Sequence, residues 1–405
     1  MRIVCVGGGP AGLYFALLMK ERDRRHDVTV LERNPAGVTY GWGVVFRDSL
    51  LDQLRASHPP TARELAANAL RWGGQRVIVS SGSPVAISGH GYAIGRQRLL
   101  DLLLERAVAG GVRVEFEREI GDATELADSD LVVSCDGVNS RLRQRQADRF
   151  GTDVRAGRNK YIWLGTSKFF DTFTFAFVHT EAGWIWCHAY GYDAGASTFI
   201  VECSAETWAG LGFDGLDHDG TIAVLEELFE PQLDGHPLRS NALPGESAPW
   251  LVFRTLTNER WHVGNVVLMG DAAHTTHFTI GSGTTLALGD AIALAAELER
   301  GAEIEAALHA YGGRRRQALR PAQTDARFSA QWFEHLDRYA GLPSEQFSAL
   351  LRERRSPLLP RIPPATYNLL HQATHEVSVL RHLRRWAAPR VKSVYARRAD
   401  HVPRS

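Results

Sequence analysis

The chain has 405 residues, of which 44% are hydrophobic and 23% charged, with 46 Lys and Arg balancing 46 Asp and Glu. That is the composition of a soluble globular protein of two or three domains. No uninterrupted apolar run reaches membrane-spanning length. The four cysteines, Cys5, Cys135, Cys187 and Cys203, form no CxxC pair, which excludes a disulfide framework or cysteine metal site and points to a reducing, cytoplasmic setting.

Arg2 to Val6 reads as a short buried strand, and its start at residue 2 leaves no room for a leader ahead of it. Gly7-Gly8-Gly9-Pro10-Ala11-Gly12 follows, then a predicted helix from Leu13 to Lys20 and a strand from Asp27 to Leu31 ending in Glu32-Arg33. Gly7 permits the tight turn, Gly9 lets backbone approach a pyrophosphate, and Gly12 lets helix and strand pack closely. The helix start offers unpaired N–H groups to phosphates. Glu32, twenty residues after Gly12, is placed to accept hydrogen bonds from a ribose. Together these parts predict a dinucleotide site without saying which dinucleotide.

Gly41-Trp42-Gly43-Val44-Val45-Phe46 leads into a predicted helix from Arg47 to Ser57. Glycines around a tryptophan fit either a backbone that approaches a ligand or a plain strand edge. Strands are predicted at Leu70 to Val79, Pro84 to Ser88 and Val112 to Phe116, with a helix from Arg96 to Ala109 between the last two. The strand Asp130 to Cys135 runs into Asp136-Gly137, and Asn139-Ser140 opens another helix. Residues 158 to 203 then read as antiparallel strands: Tyr161 to Leu164, Phe173 to His179, Trp184 to Tyr190 and Ser197 to Cys203. Their aromatics suit either the wall of a flat pocket or ordinary core packing. Alternation puts His188 and Tyr190 on one face. Short helices are predicted at Ala205 to Ala209 and Asp219 to Phe229.

A second buried strand, from Asn265, ends in Gly270-Asp271-Ala272-Ala273-His274. An aspartate at such a strand end can hydrogen-bond a ribitol hydroxyl. Gly281-Ser282-Gly283-Thr284 opens a helix running from about Leu286 to Glu299, and its start can present N–H groups to an anionic ring edge. From Arg314 onward there are 18 Lys and Arg against 7 Asp and Glu, a net of +11 opposite −11 for the rest. Either basic helices dock on an acidic body, or a phosphate-bearing partner binds there. Arg314-Arg315-Arg316, Arg320, Arg352, Arg354 and Arg355 supply the charge, and no nucleic-acid-binding signature accompanies it. The apolar spacing of 365 to 385 predicts an amphipathic helix.

The glycine turn with Glu32, the Asp136-Gly137 pair and the Gly270 to His274 segment, in this order and spacing, resemble the single-component (group A) flavin-dependent aromatic hydroxylases. The resemblance covers roughly residues 1 to 350. It implies an α/β fold like that of para-hydroxybenzoate hydroxylase, with a Rossmann-type FAD domain (1–72, 90–157 and 256–312), an antiparallel-sheet substrate domain (73–89 and 158–255) and a basic C-terminal helical region (313–405). It further implies FAD, NADH or NADPH, O2 and a flavin hydroperoxide that attacks an aromatic ring. Asp271 would contact the FAD ribitol, Asp136-Gly137 would serve FAD and nicotinamide, and Arg96 resembles the family's FAD-contacting arginine. The full cofactor set is Gly7, Gly9, Pro10, Ala11, Gly12, Glu32, Arg33, Arg47, Arg96, Asp136, Gly137, Gly270, Asp271, Gly281, Ser282, Gly283 and Thr284.

Gly41 to Val45, Gly157 to Thr166, Ser197 to Glu202 and His277 to Thr284 resemble the salicylyl-CoA 5-hydroxylases and the violacein-pathway bis-indole monooxygenases within that family, and Gln331 to His335 favours the former. Most group A members have Pro-Pro where this chain has His277-Phe278, and the tail beyond Arg355 departs from the CoA-ester enzymes. The implied substrate is an aromatic CoA thioester, salicylyl-CoA giving gentisyl-CoA. The alternatives are an indole, a free acid, a carrier-bound aromatic, or a flavin reductase that never hydroxylates. Trp42, Val45, Lys160, Trp163, His188, Tyr190, Phe278 and Arg315 are the expected substrate contacts. A histidine near its ordinary pKa can assist removal of a phenol proton, so His277, then His188 and Tyr190, are the catalytic candidates. No metal, membrane or nucleic acid is expected, and the chain is expected to be a monomer or homodimer.

Overall fold

The computed structural model describes residues 1–39, 41–241, 248–301 and 303–369. Two sheets organise it. The first has six strands in the order His262–Val263, Val266–Leu268, Leu131–Ser134, Arg2–Val6, Asp27–Leu31 and Arg113–Glu115. Its pairings are parallel apart from that of His262–Val263. Ile3 to Val6 are all buried. Successive strand residues point to opposite faces, so both faces are covered, as a parallel sheet requires.

The helix Pro10–Arg22 begins a turn earlier than the apolar pattern predicts, because Pro10 takes the first helical position, where its missing N–H costs nothing. Leu13 to Met19 are all buried. The helix is enclosed between its sheet and the helices Gly283–Glu299 and Arg96–Ala109, which explains why it is apolar all round rather than along a stripe.

The second sheet has nine strands, mostly antiparallel, in the order Leu238–Arg239, Thr152–Thr166, Ala196–Cys203, Gly183–Asp193, Phe173–Thr180, Leu70–Val79, Val85–Gly95 and Gly43–Phe46, with Leu251–Asn258 also paired to Thr152–Thr166. Gly43–Phe46 and the start of Leu70–Val79 fall in the first domain by sequence, yet they hydrogen-bond into this sheet. Gly43–Phe46 is held from both sides. Its Gly43 N–H donates to Thr198 Oγ1 at 2.8 Å, and Tyr190 Oη donates to the Gly43 carbonyl at 2.8 Å.

Two of the elements that escaped the sequence reading show why. Pro59–Asn68 is a helix although Pro-Pro reads as a breaker. Pro59 occupies its first turn, and the His58 ring caps it by accepting the Thr61 N–H. Leu251–Asn258 is a half-exposed edge strand with weak apolar alternation.

The helix Ile304–Glu334 runs from the first sheet to the second, where Trp332 meets Phe177 and Phe333 stacks on Trp186. Its basic stretch docks on the acidic body. Arg314 pairs with Glu297 at 2.6 Å, Arg315 with Asp290 at 2.7 Å, and Arg316 donates to the Glu259 carbonyl. Residues 370–385 of the expected C-terminal helix lie outside the described residues. No helix among the described residues is long and apolar enough to cross a membrane.

Candidate active site

A groove of about 320 Å³ opens where the first strand meets its helix. Gly7 has φ +114°, and a Cβ there would sit 2.5 Å from the Cys135 carbonyl oxygen. A Cβ on Gly12 would lie 2.3 Å from the Gly7 carbonyl oxygen. Both obstacles are backbone and cannot yield, so only glycine fits. Gly9 has nothing within 4 Å of its would-be Cβ. It caps the helix N-terminus and leaves that open space beside the unpaired N–H groups. Glu32 accepts from the Gly8 N–H at 2.7 Å and from the Asn34 backbone and side-chain amides at 2.9 and 2.8 Å, which fixes its carboxylate at the groove wall.

Farther along the groove come Arg33, Arg96, Asp136, Gly137 and Asp271. Asp136 is held by the Ser134 hydroxyl at 2.8 Å and the Arg141 N–H at 3.1 Å. Asp271 is exposed to the groove. The protein packed around it raises its carboxyl above the ordinary range, against the pull of His274 and Arg96. Among the described residues it has no hydrogen-bond partner. A long dinucleotide fits these features: glycine cradle and helix N-terminus for phosphates, Glu32 for a ribose, and the unpartnered Asp271 for a polyol hydroxyl.

The groove does not end at Asp271. Arg96, Val138, Asn139 and Asp271 also line a second cavity of about 650 Å³. Trp72, Tyr161, Trp163, Phe173, Phe175 and Phe278 form its aromatic wall, Val45 and Gly281 to Thr284 its floor, and Arg47, Arg354 and Arg355 one corner. The helix Gly283–Glu299 points its N-terminus into it. Gly281 has φ +60°, and its would-be Cβ lies 2.8 Å from Val45, so the turn presses against the clamped strand.

His188 and Tyr190 both line this cavity, as alternation requires. Tyr190 spends its hydroxyl on the Gly43 carbonyl, stacks on Phe173 at 5.2 Å, and is pushed above the ordinary phenol range by burial. His188 Nε2 lies 3.2 Å from Glu202 Oε2. Glu202 is buried mid-sheet and also accepts from Asn159 Nδ2 at 2.8 Å and Trp186 Nε1 at 3.1 Å. Burial opposes its charge, but the bond to His188 and the nearby His277 ring hold the carboxyl below its ordinary value. Burial also lowers His188, with Glu202 pulling the other way. A neutral imidazole beside a carboxylate must donate through Nε2, which leaves Nδ1 as an acceptor.

Several expected contacts lie elsewhere. His277 is turned away from the cavity lining, between Phe253 at 4.7 Å and Phe278, with Nδ1 3.0 Å from Thr279 Oγ1, and burial pushes it down to about 4. Its neighbours Thr276 and Phe278 face the cavity in its place. Trp42 lies behind the wall, donating to the Trp163 carbonyl at 3.3 Å. Lys160 sits over the Trp208 ring at 4.0 Å and does not line the cavity. Arg315 belongs to a packing hub: Asp290 accepts from its Nε at 2.7 Å, contacts His274 Nε2 at 2.8 Å and accepts the Gly270 N–H at 3.0 Å. Pro10 and Ala11 shape the helix start without lining the groove. Arg47 lines the second cavity rather than the groove, with its guanidinium over Trp72 and a 3.0 Å bond to the His90 carbonyl. Glu202 and Asp290 are the site and support residues that sequence reasoning missed; Arg354 and Arg355 read in sequence as part of a basic surface, and the structure places them in the lining of the second cavity. For Glu202 and Asp290 the available signal was a lone carboxylate inside an apolar run.

The family model described as "FAD binding domain" matches residues 1–325. A salicyloyl-CoA 5-hydroxylase of Streptomyces is 42% identical over 349 residues, 84% of this chain and 66% of that protein. The 3-hydroxy-4-methyl-anthranilyl-[aryl-carrier protein] 5-monooxygenase of Streptosporangium sibiricum is 37% identical over 83% of this chain and 90% of its own. Protodeoxyviolaceinate monooxygenase of Chromobacterium violaceum is 33% identical over 91% and 98%. Among solved structures, a mutant of 2-methyl-3-hydroxypyridine-5-carboxylic acid oxygenase superposes with a TM-score of 0.68 at 20% identity, covering 88% of this chain and 96% of that one. The chain therefore belongs to the FAD-binding family of single-component flavin-dependent monooxygenases, with FAD as cofactor and NAD(P)H as reductant.

Proposed function

We propose that this enzyme hydroxylates a phenol-bearing aromatic ring held in the second cavity, and that the substrate is salicylyl-CoA, converted to gentisyl-CoA. The carrying observation is that an aromatic-walled cavity containing His188 opens onto the same Arg96 and Asp271 as the dinucleotide groove. The Streptomyces relative supports the choice of ring and acyl group. When bound, FAD would supply the activation of O2, which is the oxidant, with electrons drawn from reduced nicotinamide.

The chain's own residues do the rest. Gly7, Gly9 and the following helix start hold the phosphates, Glu32 the ribose, and Asp271 the polyol chain. The aromatic wall stacks the substrate ring and excludes water. His188 Nδ1 accepts the phenol proton as the ring is attacked, which makes the carbon para to that oxygen electron-rich. Glu202 holds the Nε2–H and stabilises the imidazolium that forms.

A carrier-bound aryl substrate is the second reading. The chain spans 66% of the CoA-ester enzyme but 90% of the aryl-carrier-protein enzyme. The test is NADH and NADPH oxidation by the FAD-loaded protein with salicylyl-CoA, free salicylate and a carrier-bound hydroxyaryl group, with products read by mass spectrometry. Gentisyl-CoA formation supports the first reading. If no aryl compound speeds the oxidation, the hydroxylase assignment fails.

A further inference from the structure

The corner of the second cavity made by Arg47, Arg354 and Arg355 has no part in the proton transfer described above. Arg354 is 7% exposed, yet it lines the cavity. Three of its donors are used: Nε on Ser329 Oγ at 3.1 Å, Nη1 on the Leu351 carbonyl at 2.9 Å and Nη2 on the Thr279 carbonyl at 3.1 Å. All three acceptors are neutral. A guanidinium carries five N–H groups, so two remain. Its carbon lies 5.6 Å from the centre of the Phe175 ring, and that ring is 5.2 Å from His188. Arg354 and the base thus share Phe175 as a neighbour.

Arg355 donates to the Ile280 carbonyl at 3.3 Å, and Arg47 lines the same corner with its guanidinium over the Trp72 ring. The three repel one another: burial lowers Arg354 to about 9, with Arg355 and Arg47 adding to the effect, and Asp325 offsets part of it. Among the described residues no carboxylate hydrogen-bonds to the buried Arg354 or the half-buried Arg355, and holding such charge away from water is costly. The cost is recovered when an anion enters, and arginine meets a planar oxyanion through paired N–H groups.

We propose that Arg354 and Arg355, with Arg47 beside them, form an oxyanion subsite for a negatively charged oxygen attached to the substrate ring. Two sources share this chemistry: the carboxylate of a free aryl acid, or the phenolate of a hydroxyaryl ester or thioester. The proposal rests on the aromatic-hydroxylase reading of the cavity. It adds that the pocket selects charge as well as shape. In the phenolate case the subsite and His188 act on the same group, His188 taking the proton and the arginines holding the oxygen that loses it.

The test titrates FAD-loaded, full-length protein with three probes of similar size, following the flavin absorbance. Benzoate carries a carboxylate, methyl salicylate only a phenol, and benzamide neither. The expected result is that benzoate or methyl salicylate binds at least tenfold more tightly than benzamide. If the phenolate is the source, bound methyl salicylate shows ionised-phenol absorbance at a pH where the free compound is neutral. Arg354→Gln should remove the preference while benzamide affinity and FAD content hold. Arg354 also ties three segments together, so Arg47→Gln and Arg355→Gln are measured beside it, and each should reduce the same preference. Equal binding of all three probes by the unaltered protein overturns the proposal, as does an equal loss for all three probes in folded variants. Aryl-stimulated NAD(P)H oxidation is recorded in parallel. Stimulation without charge preference sinks the subsite and leaves the hydroxylase reading standing.

Discussion

His188 Nε2 lies 3.2 Å from Glu202 Oε2 at the back of the second cavity, and that contact decides which ring nitrogen can accept a proton. Glu202→Gln offers an amide N–H to Nε2 and so favours the opposite tautomer, with the proton on Nδ1. Hydroxylation should fall about tenfold or more, with a larger fall, about 10²-fold, in His188→Gln. Flavin content and the rate of flavin reduction should hold, so reduced oxygen should escape as hydrogen peroxide. The readout is product formed per NAD(P)H consumed.

The same pair sets a pH profile. Burial holds His188 below the ordinary histidine value, so it is neutral at pH 7 and loses its acceptor only as pH falls. The acid limb of kcat should therefore lie below the usual histidine range. In Glu202→Gln the carboxylate that raises the ring's pKa is gone, so the limb should move to still lower pH. A shift toward higher pH would contradict the assignment.

His277 makes a stability prediction. Its folded-state pKa is about 4, against an ordinary 6.5. The unfolded chain binds the extra proton between those values. Stability from the neutral, buried ring is thus fully present above about pH 6.5 and is lost as pH falls toward 4, by about 3 kcal/mol for a shift of that size. Chemical denaturation of the protein and of His277→Asn across this window should show a steeper acid loss for the parent.

The glycine turn separates fold from ligand. Gly12→Ala meets the Gly7 carbonyl oxygen and should prevent soluble expression. Gly9→Ala meets no atom of the described residues within 4 Å. It should fold with unchanged far-ultraviolet circular dichroism and lose FAD affinity by at least tenfold, measured by flavin fluorescence.

Asp290 is a structural hub, and its loss should show as stability rather than substrate binding. Asp290→Asn leaves the Arg315 and His274 partners unbalanced in a buried site, at a cost of about 3–5 kcal/mol. Arg315→Lys should lower the melting temperature while KM for the aryl substrate stays unchanged, because Arg315 does not line the cavity.

What the sequence revealed follows from how each residue is constrained. Gly7 and Gly12 answer to backbone collisions, and only one residue type satisfies those, so they leave a mark that can be read. Asp271 is legible for a similar reason, since a carboxylate at the end of a buried strand has few other uses. Arg354 and Arg355 are different. Their cavity corner is assembled from segments hundreds of positions apart, Arg47 in one and the end of Ser344–Arg352 in the other. In sequence they look like the solvated end of a basic helix. His277 fails for a local reason: the single turn Phe278–Ile280 turns its ring away and its neighbours inward, and a three-residue turn has no periodicity to reveal that. His188 and Tyr190 lie in a regular strand, where alternation does fix the face.

The clamp on Gly43–Phe46 bears on how this pocket can be retuned. Thr198 and Tyr190 hold that strand at both its N–H and its carbonyl, and Gly281 packs against Val45. A substitution that moves the strand would disturb the ring site and, through Gly95 paired with Gly43, the adjacent Arg96 that lines both cavities. Variation in substrate range is therefore confined to side chains that can change without moving backbone, such as Ile200, Trp250 and Val252 on the wall and rim. A mutagenesis library directed there should yield altered substrate preference with intact flavin loading, while one directed at residues 43 to 46 should yield mostly colourless protein.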